Sequence, residues 1–155
     1  RYSGYADWEQ IREIVDGVEI PVIANGDVVD SASAKSCMDS TKSAGLMIGR
    51  GAIGMPNIFY EIKRDLGWIK SPPPWKEDNS ATARLWCWNR YLEISKEVYG
   101  EKMNKNIKRH AISFTKGLSG ASAMRVKLHS VTTQEELGKK VSNYLENLIH
   151  EELKV

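Results

Sequence analysis

The sequence predicts an α/β segment followed by an all-helical segment. Two short apolar runs, residues 20–24 and 44–48, each end in glycine and polar residues, and helix-like segments precede and follow them. This alternation predicts two βα units with parallel strands, because βαβ crossovers are right-handed and return in the same direction. After the three prolines at 72–74 the pattern becomes helical only. We therefore place a boundary at residues 68–78.

Composition limits the possible classes of protein. The 155 residues are 41% hydrophobic and 27% charged, which is typical of a globular chain. No apolar run approaches the roughly 20 residues that span a bilayer, so no membrane segment is expected. The first residues lack the features of a signal peptide, and we expect the chain to be a carboxyl-terminal part of something longer. Cys37 and Cys87 are interpreted as reduced, buried thiols of a cytoplasmic protein.

In the α/β segment, residues 1–67, apolar runs bounded by glycine predict strands that are buried on both faces. Apolar residues at helical spacing predict helices around them. The expected helices are 6–18, capped by Asp7; one opened by Asp30 or Ser31; and one with Pro56 in its first turn that stops at Gly67.

The all-helical segment, residues 79–155, is expected to contain four helices. Glycines and capping residues mark their ends. Trp86 and Trp88 point to different sides of one helix, so at most one of them can face the core. The four helices are 81–99, with Leu85, Trp88, Leu92 and Tyr99 inward; 104–116; a short one from Ser119 or Ser122; and a last one capped by Thr132 or Thr133.

The polar loops that follow the two strands are candidates for binding phosphate. Glycine after a strand lets backbone N–H groups approach an anion beside a helix N-terminus. An arginine adds charge and a planar fork of donors. The same pattern also fits two tight turns whose glycines serve only geometry. The candidate residues are Asn25, Gly26 and Asp27 after the first strand, and Gly49 and Arg50 after the second.

A basic stretch is the second candidate site. Between Lys102 and Lys127 there are seven basic residues and no Asp or Glu. Such a local concentration of positive charge suits binding to the phosphates of RNA, although a run of charged residues is commonly just a solvated face. His110 in this stretch either contacts the ligand or packs. No His, Cys or acidic cluster has metal-ligand spacing, so no metal site is predicted.

Three groups of residues follow one another along the chain. They are Arg1-Tyr2-Ser3-Gly4 with Ala6-Asp7-Trp8; residues 20–27, IPVIANGD, and 47–52, MIGRGA, with Gly54 and Pro56; and Arg109-His110, Phe114, Lys116-Gly117 and Arg125. In this order they resemble the carboxyl-terminal half of the tRNA-dihydrouridine synthases. The chain departs from the family pattern at residues 41–44, at Asn57 and at Phe114, where the differences affect packing and fine contacts.

The resemblance implies the last two strands of a (β/α)8 TIM barrel followed by a helical tRNA-binding domain. It implies FMN as cofactor and NADPH as its reductant, with hydride transfer from the flavin to uracil in tRNA. The FMN phosphate would be held by Asn25, Gly26, Gly49 and Arg50, with Asp27 stabilising the loop or contacting the cofactor. The tRNA would be gripped through Lys108, Arg109, Lys116 and Arg125.

The family's catalytic cysteine belongs to the first half of the barrel, so no catalytic residue is assigned in this chain. The polypeptide alone is expected to be inactive. Two strands without neighbours would also leave unpaired edges, which predicts self-association. Two alternatives stay open: a fragment of another FMN- or phosphate-binding barrel oxidoreductase, which leaves the basic helices unexplained, and a stand-alone RNA-binding helical module.

Overall fold

The computed structural model describes residues 4–75, 80–102 and 105–152, with the side chains of Lys105 and Glu152 excepted. The chain divides into two compact units. The first comprises the described part of Arg1–Ala52 together with Ile58–Ser71, and the second comprises Ile53–Asn57 and the described part of Pro72–Val155. The start of the first motif, the end of the proposed linker and the predicted helix start at Asn104 lie outside the described residues.

The first unit alternates helices and strands as the sequence predicts. Its elements are α1 (Trp8–Gly17), β1 (Ile23–Asn25), α2 (Ser31–Thr41), β2 (Gly45–Met47), a 3-10 turn (Arg50–Ala52) and α3 (Ile58–Asp65). Pro56 lies before α3 rather than in its first turn, because the helix begins only at Ile58.

Local capping explains where α1 and α2 begin. The Asp7 carboxylate accepts a hydrogen bond from the Gln10 amide at 3.1 Å. Asp30 and Ser33 form a reciprocal capping box at the start of α2. These hydrogen bonds satisfy amides that have no partner within the helix. The prediction of Asp7 as a capping residue is confirmed, and Asp30 is one of the two residues predicted to open α2.

The strands β1 and β2 pair in parallel, with Asn25 opposite Met47, as predicted. The expectation that they are buried on both faces is wrong. Ala24 is buried, but Ile23 and Met47 are 56% and 53% exposed. Successive strand residues point to opposite faces. The face with Ala24 packs in the core of this unit, together with residues of α2 and α3, and the described residues leave the other face open.

The second unit contains four helices, as predicted. They are α4 (Ser80–Tyr99), α5 (Lys105–Thr115), α6 (Ala121–His129) and α7 (Gln134–Glu152). The hydroxyl of Thr133 accepts from the Glu136 amide at 3.2 Å and caps α7, as one of the two predicted alternatives. The helix α6 begins at Ala121 rather than at Ser119 or Ser122, and its N-cap is Gly120 in the left-handed region, with φ 71° and no side-chain cap.

Trp88 is at the centre of the helical core. It is fully buried and its ring packs 5.2 Å from Phe114 and 5.7 Å from Tyr91, centroid to centroid. Trp86 is exposed, so the prediction that at most one of the two tryptophans faces the core is confirmed. Tyr99 was expected inward but is 55% exposed, because the buried side of α4 extends only to Ser95.

Candidate functional site

The two polar loops of the first unit lie at the same end of the sheet. Asn25 and Met47 are opposite each other and are the last residues of their strands. The parallel register therefore brings residues 26–27 beside residues 48–50. The five predicted phosphate-binding residues lie in or beside these loops, with Asn25 and Arg50 exposed.

The first loop is held in an unusual backbone conformation by the segment before α1. Gly26 has φ 140° and Asp27 has φ 54°. The Asp27 carboxylate accepts a hydrogen bond from the Ala6 amide at 2.6 Å, and the Trp8 indole donates to the Gly26 carbonyl at 3.2 Å. A Cβ on Gly26 would lie 2.2 Å from the Ala6 Cβ, so only glycine fits at this position.

The second loop supplies the positive charge. Nη2 of Arg50 lies 3.2 Å from Oδ1 of Asp27, and the Arg50 side chain is 71% exposed. The pair joins the two loops while leaving most guanidinium donors open to a ligand. Gly49 is exposed and has open space around its Cβ position, whereas a Cβ on Gly51 would meet the Val28 carbonyl at 2.4 Å. Gly49 is thus open, whereas Gly51, two residues later, is packed.

This arrangement is chemically suited to a phosphate group. An exposed guanidinium fixed by one carboxylate can bind a phosphate through two parallel hydrogen bonds. The open Gly49 permits close approach of backbone to an anion. The Asp27 carboxylate would repel an anion, but its two oxygens already accept from Ala6 and Arg50. The donor set therefore fits a phosphate next to Arg50.

In the second unit, three of the four predicted RNA-binding residues are exposed. Arg109 lies on α5, Lys116 follows that helix and Arg125 lies on α6. None of the three has an ion-pair partner in the portions of the chain that are described. By contrast, Lys139 of α7 pairs with Glu135 at 2.7 Å. Arg109, Lys116 and Arg125 are therefore available to an external anion.

Lys108 is placed differently from the other three. Its ammonium donates to the His129 carbonyl at 2.5 Å and to the Val131 carbonyl at 3.0 Å. These carbonyls are at the end of α6, where the helix dipole is negative and backbone acceptors lack intrahelical partners. Lys108 thus ties α5 to the end of α6, and a contact to RNA by this side chain stays a prediction.

His110 belongs to the packing of the helical unit. Its Nδ1 lies 2.8 Å from the Tyr91 hydroxyl, and the two rings meet edge to face at 5.3 Å. Burial lowers the pKa of His110, and the charge of Arg109 lowers it further. The imidazole is accordingly neutral at pH 7 and adds nothing to the positive surface. Of the two interpretations left open for His110, the structure supports packing.

Neither cysteine is placed for chemistry. Cys37 and Cys87 are both buried and free, and burial raises the pKa of the Cys37 thiol. A raised pKa keeps the thiol protonated and unreactive. Across residues 4–75, 80–102 and 105–152, no cluster of three metal-ligating side chains occurs. A search of the same residues finds no helix with the length and apolar character to cross a membrane.

Comparison with known proteins identifies the family. The family model described as dihydrouridine synthase (Dus) matches residues 1–151. The chain belongs to the dihydrouridine synthase family. The match extends over the basic helices as well as the strands, which argues against an unrelated FMN barrel as the source of the chain.

Several curated relatives have the same family name. A probable tRNA-dihydrouridine synthase of Rickettsia conorii is 32% identical over 146 residues, which are 92% of this chain and 42% of that protein. One from Mycobacterium tuberculosis is 35% identical over 88% of this chain and 35% of its own length. Probable tRNA-dihydrouridine synthase 1 of Synechocystis is 30% identical over 87% of this chain and 37% of its own length. The chain thus spans less than half the length of these relatives.

Sequence reasoning missed the residues that support the two sites of this family member. Ala6 and Trp8 belong to a motif that we recognised, but nothing in their type indicates a hydrogen bond to a loop 18 to 21 residues later. Arg84 was also missed. Its guanidinium is buried in the second unit and donates to backbone carbonyls at the end of α5. Such long-range partners depend on the fold and leave no local signal.

Proposed function

We propose that the chain is the carboxyl-terminal portion of a flavin-dependent tRNA-dihydrouridine synthase. Such an enzyme reduces uridine to 5,6-dihydrouridine in tRNA, with NADPH as reductant and FMN as intermediate carrier. The observation that carries the proposal is the pair of loops joined by Arg50 and Asp27 at the ends of parallel strands, in a chain of this family. Residues 1–67 would belong to the barrel, 68–78 to a linker and 79–155 to a tRNA-binding domain.

The loops would bind the phosphate end of FMN. The Arg50 guanidinium would neutralise the phosphate, and the exposed Gly49 would permit backbone amides to approach it. Asn25 and Gly26 complete the edge of the site. Asp27 would act on the loop rather than on the anion, because it is hydrogen-bonded to Ala6 and Arg50.

Bound FMN would supply hydride to the uracil ring. The residues of this chain would anchor the cofactor by its phosphate and so fix the position of the flavin. The target base has to leave its stack before it can lie over the flavin. Contacts elsewhere on the tRNA would supply part of the binding energy for this, and we assign such contacts to the exposed cations Arg109, Lys116 and Arg125.

The open face of the sheet is consistent with a barrel completed by other strands. Ile23 and Met47 are apolar and exposed on that face. The relatives have more than half of their length outside the matched region, which is sufficient for the missing strands. A full barrel takes about 250 residues. Without those strands we expect the 155-residue chain to be inactive and to self-associate through its open strand edges.

The test requires a protein that carries the rest of the barrel. We would join this chain to the amino-terminal portion of the Mycobacterium tuberculosis relative, and compare the fusion with its Arg50→Ala variant. The matched control is Arg12→Ala, which also removes an arginine paired to an aspartate in the first unit. A hydrogen bond to a charged group contributes about 1.5–3 kcal/mol, so Arg50→Ala should weaken FMN binding at least about tenfold.

We expect the folded fusion and the Arg12→Ala control to be yellow and to form dihydrouridine in a tRNA transcript. A folded fusion that takes up no FMN would overturn the proposal. An Arg50→Ala variant with unchanged FMN affinity would remove the phosphate assignment while leaving the family function in place. Tight tRNA binding with no flavin would favour a stand-alone RNA-binding module.

A further inference from the structure

Arg84 is a buried cation in the second unit. It lies on α4, is 6% exposed, and its guanidinium donates to the carbonyls of Lys116 at 2.7 Å and Phe114 at 3.3 Å. The second terminal nitrogen lies 3.3 Å from the sulfur of Met55. A long charged side chain is seldom buried unless it is paired. The partners of Arg84 include two neutral backbone carbonyls.

The position of these carbonyls explains the burial. Phe114 lies in the last turn of α5 (Lys105–Thr115), where the last four carbonyls have no intrahelical donor, and Lys116 is the first residue after the helix. The helix dipole makes this end negative, so a cation is favoured there. One terminal nitrogen of Arg84, Nη1, donates to both carbonyls, which are separated by one residue. It fixes the direction in which the backbone leaves the helix.

The backbone that leaves α5 carries one of the proposed RNA contacts. Lys116 is exposed and lacks an ion-pair partner among the described residues, while its own carbonyl is held by Arg84. The loop then passes through Gly117 and Gly120, both with positive φ, to reach α6. Loops with two such glycines have wide conformational freedom when they are not held.

A second side chain holds the far end of the same loop. The Tyr144 hydroxyl of α7 donates to the Ser119 carbonyl at 2.5 Å. Burial raises the pKa of Tyr144, while the charge of Arg84 acts to lower it. The two side chains, from α4 and α7, therefore bond to the carbonyls of residues 116 and 119 at the two ends of the loop, while Lys116 is exposed.

We propose that Arg84 is a positioning residue for RNA binding: it holds the backbone of Lys116 so that the exposed ammonium meets an RNA phosphate. The proposal rests on the proposed function. Arg84 makes no RNA contact itself, because its guanidinium is buried against the carbonyls. Its effect on RNA affinity should therefore pass entirely through the loop.

This dependence is measurable in a double-mutant cycle. The proteins are the 155-residue chain and its Arg84→Gln, Lys116→Ala and doubly substituted forms, bound to an unmodified tRNA transcript across a salt series. The matched control is Arg90→Gln, which removes an arginine from the exposed side of the same helix. Hydrogen exchange at residues 116–120 reports on the loop without RNA.

Lys116→Ala should lower tRNA affinity several-fold and reduce the salt slope by about 1, as expected for one lost phosphate contact. Arg84→Gln should produce a similar loss and faster exchange at 116–120. The doubly substituted protein should bind within about twofold of the weaker single variant, because the second change removes a contact already lost. Arg90→Gln should leave loop exchange unchanged. A purely structural role would instead give additive losses and leave the slope of Arg84→Gln unchanged.

The outcomes separate this proposal from the proposed function. If Lys116→Ala binds tRNA like the parent, the RNA contact is wrong and the role of Arg84 in binding falls with it. If Lys116→Ala weakens binding but Arg84→Gln changes neither exchange nor affinity, only the role of Arg84 is overturned. Should Arg84→Gln fail to fold, Tyr144→Phe tests the same loop. It should increase exchange at Ser119 and weaken tRNA binding, and parent-like behaviour in both would overturn the proposal.

Discussion

Lys108 and Arg109 are adjacent basic residues with different surroundings in the structure. Replacing each of them by methionine should separate their roles. Lys108 donates to the carbonyls of His129 and Val131 at the end of α6. Arg109 is exposed and unpaired among the described residues. Methionine keeps the apolar stem and the helix propensity while removing the charge. Lys108→Met should therefore destabilise α6, and Arg109→Met should not.

The magnitude follows from the two hydrogen bonds. A bond from a charged donor contributes about 1.5–3 kcal/mol when the acceptor would otherwise stay unpaired. Lys108 is half-buried, so water can reach the released carbonyls and part of that loss is recovered. We expect a net loss of about 1–2 kcal/mol in the opening free energy of α6. This corresponds to a factor of roughly 5–30 in the opening equilibrium.

Amide hydrogen exchange is the appropriate assay, because the chain has two compact units and one global unfolding curve would mix them. In Lys108→Met, amides of α6 (Ala121–His129) should exchange roughly 5–30-fold faster, while those of α2 (Ser31–Thr41) keep the parent rate. Arg109→Met should exchange like the parent throughout. In a salt series with tRNA, Arg109→Met should reduce the slope by about 1.

The reverse pattern would refute the reasoning. If Lys108→Met exchanges like the parent and reduces the salt slope by about 1, then its ammonium faces RNA and the carbonyl contacts contribute little. That result would also restore Lys108 to the set of direct RNA contacts that the sequence predicts.

Two further predictions concern stability. Asp30→Ala removes the capping box of α2 and should cost about 1 kcal/mol at pH 7. Hydrogen bonds from Ser33 lower the pKa of Asp30, so this contribution is present above the unfolded pKa and is lost as pH falls through the folded pKa. The difference in the opening free energy of α2, measured by hydrogen exchange, should therefore narrow below about pH 4. Gly54→Ala should cost about 2–5 kcal/mol, because φ is +83° and the new Cβ would lie 2.4 Å from the Ser113 carbonyl. The control Gly100→Ala, with a similar φ and open space, should cost only about 1–2 kcal/mol. Hydrogen exchange measures both losses.

The features that sequence predicts best here are those set by neighbours in the chain. Asp7, Asp30 and Thr133 cap helices through amides three residues away, and short-range patterns identified Asp7 and narrowed each of the other two caps to a pair of neighbouring residues. The order of the first two strands and their parallel pairing also follow, because helix lengths and the handedness of the crossover leave few alternatives. The exposure of one face of the sheet could not be predicted from the sequence. Apolar residues at Ile23 and Met47 signal burial, but the described residues leave both side chains more than half exposed.

The basic stretch shows why charge counted along a sequence cannot by itself define a binding surface. Lys108 and Arg109 have the same charge and are adjacent, yet one closes a helix end and the other faces solvent. Arg84 lies outside that stretch and still reaches the carbonyl of Lys116 across 32 residues. In each case the position of a helix end in the fold determines whether a cation is bonded within the protein or exposed. The reason is that unpaired carbonyls at a helix end bind the same cations that the proposed RNA phosphates would bind. A cation that is hydrogen-bonded to the end of a helix cannot contact a phosphate directly. It does fix the backbone that positions the neighbouring exposed cations, which we propose bind the phosphates.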